Sequence, residues 1–164
     1  MNGKELKKNI MALLQCNARI SNEEIAERLN STADEVTAVI KKLEKTGVIL
    51  GYSTIMRPDD DSDEVRAIIE VQVQPERDTG FDNVARKLAK FAEVRSVYLV
   101  SGHYDLRLEI VGHSLQEIAF FVASKLSSQK GVKSTATLFM LKKYKEAGIE
   151  FDKEEKNERL KVFP

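Results

Sequence analysis

Three lysines within one short segment carry the charge best suited to binding an anionic partner. At about 100° per residue of an α-helix, Lys41 and Lys45 share one face, and Lys42 lies beside it. Cations one helical turn apart can neutralise nucleic-acid phosphates while the helix lies in a major groove. Asp34 and Ala38 lie on the same face, and Thr37 flanks it. Ordinary solvent exposure also produces charged helix faces, so this spacing alone leaves both interpretations open.

The chain offers few side chains for catalysis or metal binding. Its two histidines, His103 and His113, match neither the helical nor the loop spacing of a typical metal site. The single cysteine, Cys16, excludes an internal disulfide and is consistent with a reducing compartment. The sequence therefore predicts no catalytic residue, no metal ligand and no cofactor.

The lysines lie in a segment, residues 20–49, with the pattern of a helix-turn-helix. Ser21 with Glu24, and Thr32 with Glu35, have the spacing of capping boxes, which predicts two helix starts. Apolar residues recur at helical spacing after each start, and Gly47 is suited to a left-handed cap. With the polar turn between the helices and an aromatic residue beyond them, the candidate DNA-contacting residues are Ser31, Thr32, Asp34, Thr37, Ala38, Lys41, Lys42, Lys45 and Tyr52.

A helix over residues 4–16 and a hairpin wing over residues 48–56 complete this predicted domain, which spans residues 1–57. Residues 58–64 form an acidic, turn-rich linker. Charged residues dominate a C-terminal tail, 145–164, which we expect to be disordered. A pairing strand from Arg159 to Phe163 is the alternative.

Between linker and tail, residues 65–144 alternate between strand and helix patterns. Alternating apolar residues from Val65 to Val73 predict the first strand, and the order that follows is helix, strand, strand, helix, strand. This is the order of a ferredoxin-like βαββαβ domain, in which two helices cover one face of an antiparallel sheet. The fold class expected is therefore α+β, with an N-terminal winged helix-turn-helix domain and a C-terminal ferredoxin-like domain.

The uncovered face of this sheet should expose apolar side chains, namely Ile68, Val111, Phe139 and Leu141. A homodimer would cover them, although scattered surface hydrophobic residues are also normal.

Charge and hydropathy limit the other classes of protein. The 26 lysines and arginines equal the 26 acids, and residues 1–57 hold nine bases against seven acids. DNA affinity must then come from charge placement and dimerisation. No apolar run is long enough for a membrane span, and no signal-peptide pattern is present, so we expect a cytoplasmic protein.

Motifs in both halves resemble those of the Lrp/AsnC family, the leucine-responsive or feast/famine transcription regulators. The resemblance covers residues 6–144. It rests on residues 17–21 before the helix-turn-helix, residues 40–44 with 47–49 and 51–52, and the turn Val100-Ser-Gly-His-Tyr-Asp105.

The resemblance implies a winged-helix DNA-binding domain joined to a domain that senses small molecules, often amino acids. It implies a homodimer that assembles to tetramers or octamers. Gly102, His103, Tyr104 and Asp105 would border the effector site, with Gly102 admitting a ligand carboxylate and Asp105 pairing with an ammonium group. Each also suits a purely structural turn.

Departures from the family pattern leave alternatives open. The family usually has an acid near Lys7 and basic residues near Ala38 and Val39, so its operator contacts do not transfer directly. A ligand-sensing partner without DNA function is one alternative. Some tetrapyrrole decarboxylases also resemble this layout, and His103, His113 and Asp105 would then take acid–base or metal roles.

Overall fold

The computed structural model describes residues 2–57, 64–75 and 80–151. The chain divides into two compact units, one of Met1–Arg57 with the chain from Lys145 onward, and one of Pro58–Tyr144. Across the described residues, no helix is both long enough and apolar enough to cross a lipid bilayer.

The first unit is built from three helices, α1 (Gly3–Cys16), α2 (Asn22–Leu29) and α3 (Ala33–Lys45). The capping box predicted for α3 is complete, because Thr32 and Glu35 exchange hydrogen bonds between side chain and backbone. At α2, Ser21 accepts from the Glu24 amide at 3.1 Å, but the Glu24 carboxylate pairs with Arg28 at 2.6 Å. That ion pair draws the carboxylate along the helix, so the second predicted box is only half formed.

Apolar side chains from all three helices meet in one core, in which Ile10 of α1, Ile25 of α2 and Val36 of α3 are fully buried. Burying side chains of this size contributes about 1.5–3 kcal/mol each. The core therefore fixes the pairing of α2 with α3 that the sequence pattern predicts.

The hairpin predicted for residues 48–56 is absent. The amides of Val48 and Ile49 instead donate to the Leu43 carbonyl at 2.9 and 3.2 Å, and Gly47, with φ of +68°, makes this reversal possible. The first residues of the expected strand thus close the end of α3. Residues 50–57 are irregular, and Leu50 is almost fully exposed.

The second unit has the predicted order of elements: β1 (Val65–Val73), α4 (Asp82–Leu88), β2 (Val94–Leu99), β3 (Leu106–Gly112), α5 (Leu115–Phe121) and β4 (Val132–Phe139). The sheet is antiparallel, with strand order β2-β3-β1-β4. This arrangement confirms the predicted α+β class.

The core of this unit lies between the sheet and its helices. Ala67, Ile69, Val71 and Val73 of β1 are buried against side chains of both helices, so the alternation predicted for this strand is correct. The predicted second helix is not uniform, because α5 continues into a π-helical turn (Val122–Leu126). There the Ser127 amide reaches back to the Val122 carbonyl at 2.8 Å.

Two bulges change which side chains face the helices. Val73 pairs with Val132, but Gln72 pairs with Ser134, so Lys133 is an extra residue in β4. Phe139 is paired with Ala67 and consequently lies on the helix-facing side. Its predicted place on the open face is wrong, and Leu138, the partner of Ile68, takes that place. A similar shift between Val94 and Ser96 occurs in β2.

The described part of the C-terminal tail is ordered, contrary to expectation. β5 (Lys145–Glu146) and β6 (Ile149–Glu150) form a small hairpin, in which Lys145 pairs with Glu150 at 3.2 Å. Ala147 and Gly148 both have positive φ, as a tight hairpin turn demands. The alternative strand Arg159–Phe163 lies outside the described residues.

Candidate nucleic-acid interface and effector site

The outward face of α3 presents a cluster of exposed residues, which are Asp34, Ala38, Lys41, Lys42 and Lys45. Among the residues that the structure describes, none forms an ion pair with any of these three lysines. The lysine side chains are therefore available to an external anion.

Hydroxyl groups engage two acids of α3. The Ser31 hydroxyl donates to Oε2 of Glu35 at 2.6 Å, and this bond is the main reason that the pKa of Glu35 is lowered. The Tyr52 hydroxyl donates to Oε1 of Glu44 at 3.0 Å. Desolvation first, and then this bond to Glu44, raise the pKa of Tyr52. Both carboxylates thus have partners on the protein itself.

Four of the residues predicted to touch DNA consequently have internal roles. Ser31, Thr32 and Tyr52 bond to the acids or to the start of α3, as described above. The fourth, Thr37, accepts from Nδ2 of Asn22 at 2.8 Å and donates to the Ala33 carbonyl at 2.7 Å. Sequence analysis did not identify Asn22, because helical periodicity gives no distance between side chains of different helices.

The predicted effector residues form the turn between β2 and β3. Oδ2 of Asp105 accepts from the Val73 amide at 2.8 Å, at the bulge where β1 loses its register with β4. The backbone of Asp105 also donates to Val71 at 3.1 Å and accepts from Val100 at 2.9 Å. Asp105 thereby anchors the turn to the end of β1, which is the structural role that its residue type also suggested.

The remaining residues of this turn are close together. The rings of His103 and Tyr104 meet edge to face, with centroids 4.9 Å apart, and Nε2 of Gln72 donates to the His103 carbonyl at 3.3 Å. Gly102 has a φ of +156°, and a Cβ built on it would have no other atom within 4 Å. The backbone at Gly102 is therefore open to the approach of a ligand. His113 lies outside this turn, just before α5, where its amide donates to Glu117.

Metal binding has no support in the described part of the chain. There, no three side chains among His, Cys, Asp and Glu are grouped so that they could hold an ion.

Models of two protein families match the chain. Residues 4–49 match a winged helix-turn-helix DNA-binding domain, and residues 66–149 match the Lrp/AsnC ligand binding domain. The two matches fall on the helices of the first unit and on the sheet of the second.

Relatives match over most of the chain. The HTH-type transcriptional regulator YugG of Bacillus subtilis is 43% identical over 162 residues, which is 98% of each chain. The leucine-responsive regulatory protein of Rhizobium meliloti is 29% identical over 84% of this chain and 88% of its own.

Solved structures share the fold. A Neisseria meningitidis transcriptional regulator, solved as an L-Met complex, has a TM-score of 0.69 and 26% identity over 87% of this chain and 92% of its own. AsnC of E. coli has a TM-score of 0.67 and 22% identity over 88% of this chain and 96% of its own. With both domain models matched in order, the chain belongs to the Lrp/AsnC family of DNA-binding transcription regulators.

Proposed function

We propose that this regulator binds double-stranded DNA sequence-specifically through the outward face of α3, and that an amino acid bound at the Gly102–Asp105 turn modulates that binding. The availability of Lys41, Lys42 and Lys45 is the observation that carries the DNA-binding proposal.

The geometry of α3 suits a major groove. The groove is about 12 Å wide and admits an α-helix. Lys41 and Lys45 are one turn apart on the exposed face, so both can meet phosphates. The small side chain of Ala38, one turn before, allows close approach to a base edge and suits contact with a thymine methyl group.

Selection of duplexes from a random pool by the purified full-length protein tests sequence-specific binding. Because a dimer would contact half-sites about one helical turn apart, we expect an enriched, roughly palindromic motif. A pool without any enriched motif, or binding that ignores sequence, would contradict the proposal.

The effector proposal rests on the chemistry of the turn. Asp105 uses Oδ2 to anchor Val73, and no hydrogen bond to Oδ1 is found within the described residues, so Oδ1 can accept from an α-ammonium group in a charge-assisted bond. The open backbone at Gly102 offers room for the carboxylate. The L-Met complex of the Neisseria meningitidis regulator supports an amino acid as the effector class.

Two substitutions at Asp105 separate the anchoring role from ligand binding. Asp105→Asn keeps an oxygen acceptor for the Val73 amide but removes the charge, whereas Asp105→Ala removes both. Thermal shift across the twenty amino acids should identify a ligand of the wild type that Asp105→Asn binds much more weakly while its ligand-free stability changes little. If Asp105→Asn binds the ligand as tightly as the wild type does, the ammonium group binds at another site. If no amino acid shifts the melting temperature of the wild type, the amino-acid proposal is refuted.

The proposal includes self-association as a homodimer, through the open sheet face, and further assembly to a tetramer or octamer. A ligand acts on such a system only if it prefers one assembly over another. We place this activity in the cytoplasm, where a regulator meets its DNA.

A further inference from the structure

A side-chain hydrogen bond joins the two helices of the helix-turn-helix. Nδ2 of Asn22, the first residue of α2, donates to Oγ1 of Thr37 in α3 over 2.8 Å, and the bond is partly buried. The Thr37 hydroxyl donates in turn to the carbonyl oxygen of Ala33, at 2.7 Å. Since a carbonyl can only accept, the single hydroxyl proton must point toward Ala33. The Thr37 oxygen must then accept from Asn22, which fixes the orientation of the Asn22 amide.

The rest of the packing between α2 and α3 does not fix the rotation of α3 in this way. Ile25 and Ala26 of α2 share the core with Val36 of α3. The hydrophobic effect that drives this packing is non-directional, so it restrains the rotation of one helix against the other less sharply than a hydrogen bond does. A hydrogen bond weakens steeply once its angle and distance leave a narrow range. The Asn22–Thr37 bond therefore restrains the rotation of α3 about its own axis.

A small rotation would matter at a DNA interface. The tips of helical side chains lie about 5–6 Å from the helix axis, so a turn of about 10° moves them by about 1 Å. That displacement exceeds the tolerance of a base-edge hydrogen bond. Long, flexible lysine side chains can still find phosphates after such a movement. Rotation should consequently reduce base discrimination more than general attraction to DNA.

We propose that Asn22 and Thr37 are positioning residues, which hold α3 at the rotation needed for base recognition without contacting DNA. This inference rests on the proposed function of α3. It gives Thr37 a role different from the direct DNA contact expected from the sequence, and it assigns a role to Asn22.

The test compares full-length variants on two duplexes of equal length, one selected from a random pool by the wild type and one with the same bases shuffled. Thr37→Val and Asn22→Ala each remove the bond, and Thr37→Ser retains the hydroxyl. Thr46→Val is the matched control, because among the described residues the Thr46 hydroxyl donates within its own chain segment, to the carbonyl oxygens of Lys42 at 2.8 Å and Leu43 at 3.3 Å.

We expect Thr37→Val and Asn22→Ala each to lower the ratio of the two affinities about two- to tenfold, the equivalent of one neutral hydrogen bond. The double variant should lose no more than either single variant, since both substitutions remove the same bond. Thr37→Ser should restore the ratio, and Thr46→Val should leave it unchanged. The salt dependence of binding should equal that of the wild type, because the lysines still neutralise the same phosphates.

An unchanged ratio of the two affinities in Thr37→Val would overturn the inference. An equal loss of affinity for both duplexes, with a weaker salt dependence, would also overturn it, because that result would indicate that Thr37 touches DNA directly. A wild type that does not discriminate the duplexes would refute the proposed function instead. A double-mutant cycle of Thr37→Val and Asn22→Ala, measured by thermal unfolding, needs no DNA. It shows whether the bond couples the two helices. Additive losses in that cycle would overturn the inference independently.

Discussion

At the scale of single residues, the proposed DNA interface includes acids that are held by hydroxyl groups. Tyr52 lies beyond α3 in sequence, yet its hydroxyl donates to Glu44 on that helix. Without this bond, Glu44 would be free to pair with Lys41 one turn earlier. We therefore expect these hydroxyl bonds to keep the carboxylates from pairing with the lysines, on a helix segment that carries as many acids as bases.

Tyr52→Phe should weaken DNA binding by a few-fold, since an exposed carboxylate–lysine pair is worth about 0.2–1 kcal/mol. Glu44→Gln in the same background should restore the affinity, because the amide no longer attracts Lys41. Titration of both variants against one duplex measures this. If Glu44→Gln gives no recovery, the Tyr52 hydroxyl itself contacts DNA.

At the scale of elements, patterning predicted most of the structure and failed where the chain departs from regular repeats. Strict alternation identified the buried face of β1 correctly. The same rule put Phe139 on the wrong face, because the bulge at Lys133 reverses the alternation and residue types do not signal it. The prediction of a hairpin over residues 48–56 failed for a similar reason. Strand-forming residues follow α3, but the backbone amides of Val48 and Ile49 are used to close the helix.

The π-helical turn is tied to the loop before β2 by an ion pair, in which Nζ of Lys125 lies 2.6 Å from Oε1 of Glu93. The hydrogen bond from Lys125 is the main cause that lowers the pKa of Glu93. The Glu93 carboxylate therefore binds a proton less readily in the folded protein than in the unfolded chain. The stability that results is fully present above the unfolded pKa of about 4.3, and it is lost as the pH falls through the lower pKa of the folded state.

Glu93→Gln should accordingly lower the thermal midpoint near pH 7, by the equivalent of about 0.2–1 kcal/mol for a pair this exposed. Wild type and variant should converge as the pH falls below the lowered pKa of Glu93, because both side chains are then neutral. Calorimetry over a series of falling pH values from pH 7 checks this, and a difference that does not shrink with falling pH would show that the contribution of Glu93 is not its charge.

At the scale of the whole molecule, the proposed homodimer would form through the open sheet face. Leu138 and Ile68 are directly paired there, and Leu138 is 49% exposed. Leu138→Lys should convert the assembly to a smaller species in sedimentation, because a lysine in an apolar interface loses its hydration. Leu115→Lys is the matched control, since Leu115 is 51% exposed but belongs to helix α5. Loss of association in the control alone would place the interface on the helices.

The assignment of function depends most on α3 binding DNA through its lysines. The decisive measurement is the salt dependence of binding to a selected duplex by the full-length wild type, Lys41→Ala and Lys45→Ala, with the exposed Lys130→Ala in the second unit as control. Each of the two α3 variants should reduce the slope of log affinity against log salt concentration by about one unit for each phosphate that is no longer neutralised, and the control should not. Slopes in both α3 variants equal to that of the wild type would contradict the assignment of α3 as the DNA-binding helix.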